Sequence, residues 1–374
     1  MKKVVGLVAA GLFAVSVANA GQITVANTDL VMIGGVSAAY SVQENDHSLA
    51  NPGFSKDGFA VNNFVLALAK PAQDGGIGVT AAIASWQAPT VVASSEVVNG
   101  NNILNNGLIG YGKSTDLKVW KAYVTYKPMA GLSLDAGLLW SGFGEKPVTI
   151  LNPHITRGVL FTANPVVMAG ARGSYDAGVA KLYVGTGKVG AQLMAPVYKN
   201  IAGVDPKAYI EAGLTTNLKQ VGLPVDLGLH TYNEAGGRDI YALTASTDLG
   251  MVSLSAEIDY FKADKPLQVA QGNSDSALGA ALCANIKPQA GIQIPIRIEY
   301  ADTKKSLLIP TIVDFNNKNS VWTFTVTPTY NPTKNTFIRG EVSYVSSDKK
   351  IFINDKGVNK DTRTTGAVEL GFLF

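Results

Sequence analysis

Residues able to carry acid–base, nucleophilic or metal chemistry are few in this chain and widely scattered. The three histidines, His47, His154 and His230, fall in different contexts with no partner at ligand spacing, and neither His-Glu-x-x-His nor Cys-x-x-Cys occurs. Cys283 is the single cysteine, so it makes no internal disulfide and reads as a plain thiol. The run Gly185-Thr186-Gly187-Lys188-Val189-Gly190 has the spacing of a dinucleotide loop. That use requires a helix opening at its last glycines and an acid further on. A loop with Pro196 and Pro206 follows instead, so we expect a glycine-rich strand end. No Gly-x-Ser-x-Gly elbow is present. Glu257 and Asp259, two residues apart, would share one face of a strand and could form an acid–base pair. Two acids side by side on a wet face are the simpler reading. We therefore expect no enzyme, no cofactor and no metal site.

What positions these residues is a series of strands. In Ile292 to Tyr300 the even positions are apolar up to a terminal Tyr, and the odd ones are Gln, Pro, Arg and Glu. Val252, Leu254, Ala256, Ile258 and Tyr260 likewise oppose Ser253, Ser255, Glu257 and Asp259. A period of two gives each strand one greasy and one polar face. The aromatics Trp120, Tyr126, Trp140, Tyr175, Tyr260, Tyr300, Trp322, Tyr330 and Tyr344 fall at or near strand ends on the apolar parity. That placement predicts belts at the two edges of a lipid-facing band.

Connections alternate between short and long. Turn-rich links near residues 71–76, 128–131, 176–178, 217–223, 247–250, 287–291 and 331–335 are separated by longer stretches. One tight link, at 233–237, is the exception. Short periplasmic turns opposite long extracellular loops are the asymmetry of an outer-membrane barrel. Counting between links predicts about sixteen strands in an all-β, transmembrane, up-and-down antiparallel barrel occupying residues 21–374 as one domain. Its outer face would meet outer-membrane lipid.

Lys2, Lys3, the apolar run Val4–Val17 and Ala18-Asn19-Ala20 have the layout of a cleaved export signal over residues 1–20. The formal charge of +3 falls by two when those lysines leave. A near-neutral chain has no basic stripe for nucleic acid, so none is expected as a partner. Beyond residue 20 no run of eighteen apolar residues occurs, which excludes a helical membrane span.

At the end of the chain Val368, Leu370, Phe372 and Phe374 alternate with Ala367, Glu369, Gly371 and Leu373. This resembles the C-terminal signature of bacterial outer-membrane barrels, and the resemblance implies that the barrel-assembly machinery recognises the strand ending in Phe374. The stretch Ala122–Pro128, through Gly142-Phe143-Gly144-Glu145, to Arg172-Gly173-Ser174-Tyr175 resembles the OmpL-like β-barrel porins. It covers about a sixth of the chain and implies a porin fold with no catalytic residues to transfer.

Opposite the apolar positions stand Asp135, Glu211, Asp226, Glu257, Asp259, Glu299, Glu341 and Glu369, with Lys121, Lys127, Arg172, Lys181, Arg297 and Arg339. Charge facing lipid costs about 2–4 kcal/mol at the midplane for Arg or Lys, whereas charge facing water is hydrated. We therefore expect a hydrated interior, and sixteen strands leave room for an aqueous channel. By analogy with trimeric porins, the loop 141–164 would fold inward, with Glu145, Lys146, His154 and Arg157 facing Lys121, Arg172 or Arg339. Packing on the rim is the other outcome for that loop.

The expected function is passive diffusion of small hydrophilic solutes and ions, with weak cation preference from the excess of wall acids and a homotrimer as one possible assembly. Two alternatives stand beside it. One is a substrate-selective channel using the inward aromatics Tyr123, Tyr183, Tyr209, Tyr232 and Phe261. The other is a structural or adhesive barrel with a closed lumen.

Overall fold

The structure is a computed structural model. It describes residues 23–24, 29–45, 57–86, 97–98, 101–102, 117–145, 150, 152–161, 163–189, 203–270, 275–302, 308, 319–354 and 356–374. The expected export signal, most of the loop between residues 87 and 116, and Lys146 lie outside the described residues.

Sixteen long antiparallel strands close on themselves. The first four are β1 (Val31–Gln43), β2 (Asp57–Lys70), β3 (Gly76–Trp86) and β4 (Lys118–Met129). Next come β5 (Leu132–Trp140), β6 (Val167–Asp176), β7 (Ala180–Lys188) and β8 (Ala208–Asn217). Then follow β9 (Val225–Glu234), β10 (Arg238–Asp248), β11 (Val252–Ala263) and β12 (Ser276–Gln289). The last are β13 (Ile292–Asp302), β14 (Ser320–Val326, resumed at Thr329–Tyr330), β15 (Thr336–Ser347) and β16 (Thr362–Leu373). Each pairs with its neighbours in sequence, and β16 returns to β1 with Leu373 opposite Gly35 and Thr365 opposite Gln43. Phe374 and Gly34 then exchange both backbone hydrogen bonds at 2.9 Å. No edge is left open, which is the condition for a sheet to sit in hydrocarbon. A two-residue strand, Ile23–Thr24, pairs with β1 outside the closed ring.

Side-chain parity holds almost throughout. Val36, Tyr40, Leu68, Val79, Val124, Leu182, Val184, Leu214, Leu229, Leu243, Ile258, Leu282, Ile298, Phe324, Val342 and Leu370 all point outward and are exposed. So continuous an apolar exterior would drive aggregation in water, and lipid is the solvent it suits. Tyr126, Tyr175, Tyr260, Trp322, Tyr330 and Tyr344 are exposed on that face, as their positions predict.

The short links turn on paired residues. Asp176 accepts the N–H of Gly178 at 2.8 Å, and Asp248 that of Gly250 at 2.9 Å, with φ of 85° and 82° at the two glycines. Positive φ makes glycine the residue of least strain there. At the opposite, long-loop end, the helix α1 (Lys265–Ala270) and parts of other loops fold over the rim. Leu267, Leu308 and Phe352 join Ile240, Phe261 and Val321 in a buried apolar cluster against the inner wall. The glycine-rich run is a strand end as expected: Gly185 and Gly187 belong to β7 and face β6 and β8 in register.

Candidate pore constriction

The loop after β5 goes into the barrel. Its peptide groups leave water and must find hydrogen bonds there, and the inner wall supplies them. The Ile150 N–H meets Asn63 Oδ1 on β2 at 3.3 Å. Glu341 on β15 accepts the N–H of Ile155 at 2.6 Å, the N–H of Thr156 at 2.9 Å and its hydroxyl at 2.5 Å. Two arginines flank that carboxylate and donate to loop carbonyls: Arg339 to Asn152 O at 2.6 Å, and Arg297 on β13 to Thr156 O at 3.1 Å. At the far end of the loop, Asn164 Nδ2 donates to Glu257 at 3.1 Å and Asp259 at 2.8 Å on β11. Arg238 on β10 donates to Ala163 O. The segment is thus pinned to opposite sides of the lumen.

Opposite charges meet within this junction. Arg157 pairs with Glu145 at 3.1 Å, which also accepts the Gly158 N–H at 3.0 Å. Arg297 lies 3.1 Å from Glu299 and 3.7 Å from Glu145, and Arg339 pairs with Glu369 on β16. Gly158 rests against the wall so closely that a Cβ would fall 2.1 Å from Glu299 Oε1. Burial lowers the Arg157 pKa to about 10, with Glu145 opposing the fall, so it stays charged at neutral pH. His154 Nδ1 lies 2.7 Å from Thr327 Oγ1 and 3.9 Å from Glu341. Burial, then Arg297 and Arg339, push its pKa well below the usual 6.5. It is neutral at neutral pH.

The expectation that wall charges are hydrated needs correction on both sides of the barrel: Lys121, Glu211 and Asp259 are buried on β4, β8 and β11. Arg297, Glu299, Arg339, Glu341 and Glu369 are at most 4% exposed, because the loop lies on them. Among the expected eyelet residues, the structure brings Glu145, His154 and Arg157 together with this wall. Lys121 stands apart, its Nζ 4.5 Å from the Trp140 ring centre and 5.4 Å from that of Tyr123. Arg172 pairs with Glu211 on β8 at 2.6 Å and donates to Trp140 O at 2.7 Å. Asp135 accepts from Thr125 at 2.5 Å. Lys181 and Asp226 sit exposed at the short-turn end, and Lys127 pairs there with Asp74 at 2.6 Å.

Two aromatic placements also differ from expectation. Trp120 and Trp140 turn toward the lumen, where they border a small cavity with Val65, Ala67, Ala84 and Lys121. Trp120 is the extra residue of a bulge against β3, and the Trp140 indole N–H donates to Trp120 O at 2.8 Å. A one-residue shift in a strand exchanges its faces.

Sequence reasoning missed Glu234, Arg238 and Arg363, which are inward and buried. Glu234 continues the parity of His230 and Tyr232, and Arg363 that of Glu369. Arg238 heads a strand whose inward positions Ile240 and Ala242 are apolar, so alternation there carried no signal.

Inward residues that stay partly open to solvent are found on β4 to β12. They include Tyr123, Thr125, Thr215, Thr244, Ser255 and Asn285, with Arg172 (15% side-chain exposure), Glu257 and the loop's Glu145 (23%). Tyr209, Tyr232 and Phe261 are buried; Tyr209 stacks on Tyr232 with ring centres 5.4 Å apart. Of the aromatics named above, Tyr123 keeps the open exposure.

Residues 30–374 match the model of the family described as putative beta-barrel porin-2, OmpL-like. The chain belongs to this family. Solved structures similar to this porin-family chain include the anion-selective porin from Comamonas acidovorans, at 13% identity and a TM-score of 0.60, covering 92% of this chain and 99% of that one. The outer membrane channel DcaP of Acinetobacter baumannii aligns at 14% identity and a TM-score of 0.56 over 95% and 100% of the two chains. OmpT, an outer membrane protein of Vibrio cholerae, in a trimer form, aligns at 9% identity and 0.55 over 92% and 99%. At these identities the likeness is one of fold. No curated protein matches the chain.

Proposed function

We propose that this OmpL-like porin is a non-enzymatic outer-membrane channel through which small hydrophilic solutes and ions diffuse passively. The observation that carries the reading is the arrangement of the interior: a charged loop docked against β13 and β15 and tied across to β10 and β11, beside inward polar residues on β4 to β12 that stay partly exposed. Partly exposed hydroxyls and amides offer hydrogen bonds without a tight binding site, so solutes enter and leave. The docked loop narrows the passage and sets a size limit.

Processing after Ala20, recognition of the strand ending in Phe374 by the barrel-assembly machinery, and assembly as a homotrimer belong to the same reading. The trimer is supported by the fold shared with the trimeric OmpT form. A detergent-resistant band that collapses to the monomer on boiling tests it.

Liposome swelling tests the function. Vesicles holding the purified protein should swell in isosmotic solutions of small sugars, at rates falling steeply with solute size and without saturation. Rates equal to those of empty vesicles would refute the channel, and saturable uptake of one solute would replace diffusion with selective transport.

A further inference from the structure

The outer face is hollowed where β13 to β16 and β1 meet lipid. Tyr40 on β1, Val368 on β16, Gly340 on β15 and Pro328 on β14 stand side by side in one register row, and Ile294 on β13 continues it. The next outward row holds Val42, Gly366, Val342 and Val326. Each row has a glycine where its neighbours carry side chains. Between Val326 and Thr329, β14 is also interrupted at Pro328, which has no N–H for the ladder. What remains is an open trough of about 490 Å³ with an almost wholly apolar lining.

A strand spacing of about 4.8 Å makes the row from Tyr40 to Ile294 roughly 19 Å long, and the two rows lie about 7 Å apart. Tyr40 is near the long-loop end of β1, which stops at Gln43, and Ile294 is near the short-turn start of β13 at Ile292. The trough therefore runs obliquely across the apolar band from one rim toward the other. It is continuous with the lipid-facing surface, since Val36, Phe324, Ile338 and Leu370 are exposed beside it. Left empty, it would forfeit dispersion contacts along its floor. In hydrocarbon, packing is what makes one contact better than another. A second barrel would meet this face with a convex wall of its own, which spans a trough of this width rather than entering it. A flexible methylene chain enters it.

We infer that this trough seats the acyl chain of an outer-membrane lipid, held there longer than the chains that pass over the rest of the barrel. Gly340 and Gly366 make the seat, and the barrel itself does not need them. A Cβ on Gly340 would come no closer than 3.9 Å to its nearest neighbour, Ala367 O. On Gly366 it would lie 3.2 Å from Val42 Cγ2, the end of a side chain that faces lipid. Neither glycine has a positive φ that would demand the residue.

The test is photolabelling of the purified protein in phosphatidylcholine vesicles that hold a trace of phosphatidylcholine with a diazirine on its acyl chain. Peptide mass spectrometry should find severalfold more label at Pro328, Val342 and Val368 than at Leu229 and Leu243, which face lipid mid-strand on β9 and β10. Gly340→Leu, which fills the trough, should bring the label down to the level at those leucines. Equal label around the wild-type barrel overturns the inference, and so does a wild-type excess that Gly340→Leu leaves unchanged. Should that variant fail to insert, the wild-type distribution decides alone. Oxidation that links Val368→Cys chains in pairs, while wild type with its Cys283 stays single, also overturns it, because a second copy then fills the trough.

Discussion

Glu341 Oε1 accepts both the backbone N–H of Thr156, at 2.9 Å, and its hydroxyl, at 2.5 Å, so one wall carboxylate fixes one loop residue twice. Its other oxygen accepts the Ile155 N–H at 2.6 Å and the Thr327 hydroxyl at 2.8 Å. Glu341→Ala would strand those donors in a buried site, at about 1–3 kcal/mol for each unsatisfied group. Arg297 and Arg339 would keep their own partners, Glu299 and Glu369. We expect the barrel to fold and the loop to leave the wall, giving larger and noisier single-channel steps. Glu341→Gln, which keeps an acceptor, should fall between. Steps identical to wild type in the alanine variant would show that the contact holds nothing in place.

Loop docking should depend on pH through His154. Its docked pKa lies well below 6.5, so below that pH the released loop binds a proton that the docked loop refuses. Docking is therefore complete above about 6.5 and weakens as pH falls from there toward the docked value. Channel noise recorded against pH should rise across this window, and His154→Gln should remove that part of the rise. An unchanged profile in the variant would assign the effect to other groups.

The two faces of β11 and β12 should respond oppositely to the same substitution. Leu282, 53% exposed and mid-strand, faces lipid, whereas Ser255 faces the lumen. Leu282→Arg should destabilise the barrel by roughly 2–4 kcal/mol if its depth is near the bilayer centre, and Ser255→Arg should be tolerated. Urea-dependent folding into phospholipid vesicles measures both. Equal losses would mean that the sheet is not sided as described.

Gly158 tests how closely the loop meets the wall. A Cβ there would run into the Glu299 carboxylate, which Thr323 and Arg297 hold in place. Gly158→Val should displace the loop from β13 and alter conductance without affecting barrel assembly, checked by heat-dependent gel mobility. Wild-type conductance in this variant would place the loop further from Glu299.

Period-two alternation is a local property, which is why β11, β13 and β15 were legible residue by residue. Their inward Glu257, Asp259, Arg297, Glu299, Arg339 and Glu341 follow directly from it. Trp120 was misplaced because a bulge changes parity without any mark in composition, and Trp140 turns with it by donating its indole N–H to Trp120 O. The docking of the loop was left open by the sequence for another reason. Glu341, Arg297 and Arg339 recognise backbone groups of residues 152–156, and backbone recognition leaves no trace in side-chain identity. Hydration of the wall depended on that docking, so it could not be read either.

Single-channel recording of the purified protein in a planar bilayer addresses the whole proposal at once. Discrete, long-lived steps that scale with salt concentration are expected from a water-filled passage beside a docked loop. A protein shown to be folded and inserted, yet silent at every salt concentration, would mean that the interior is sealed and that the barrel serves some other purpose.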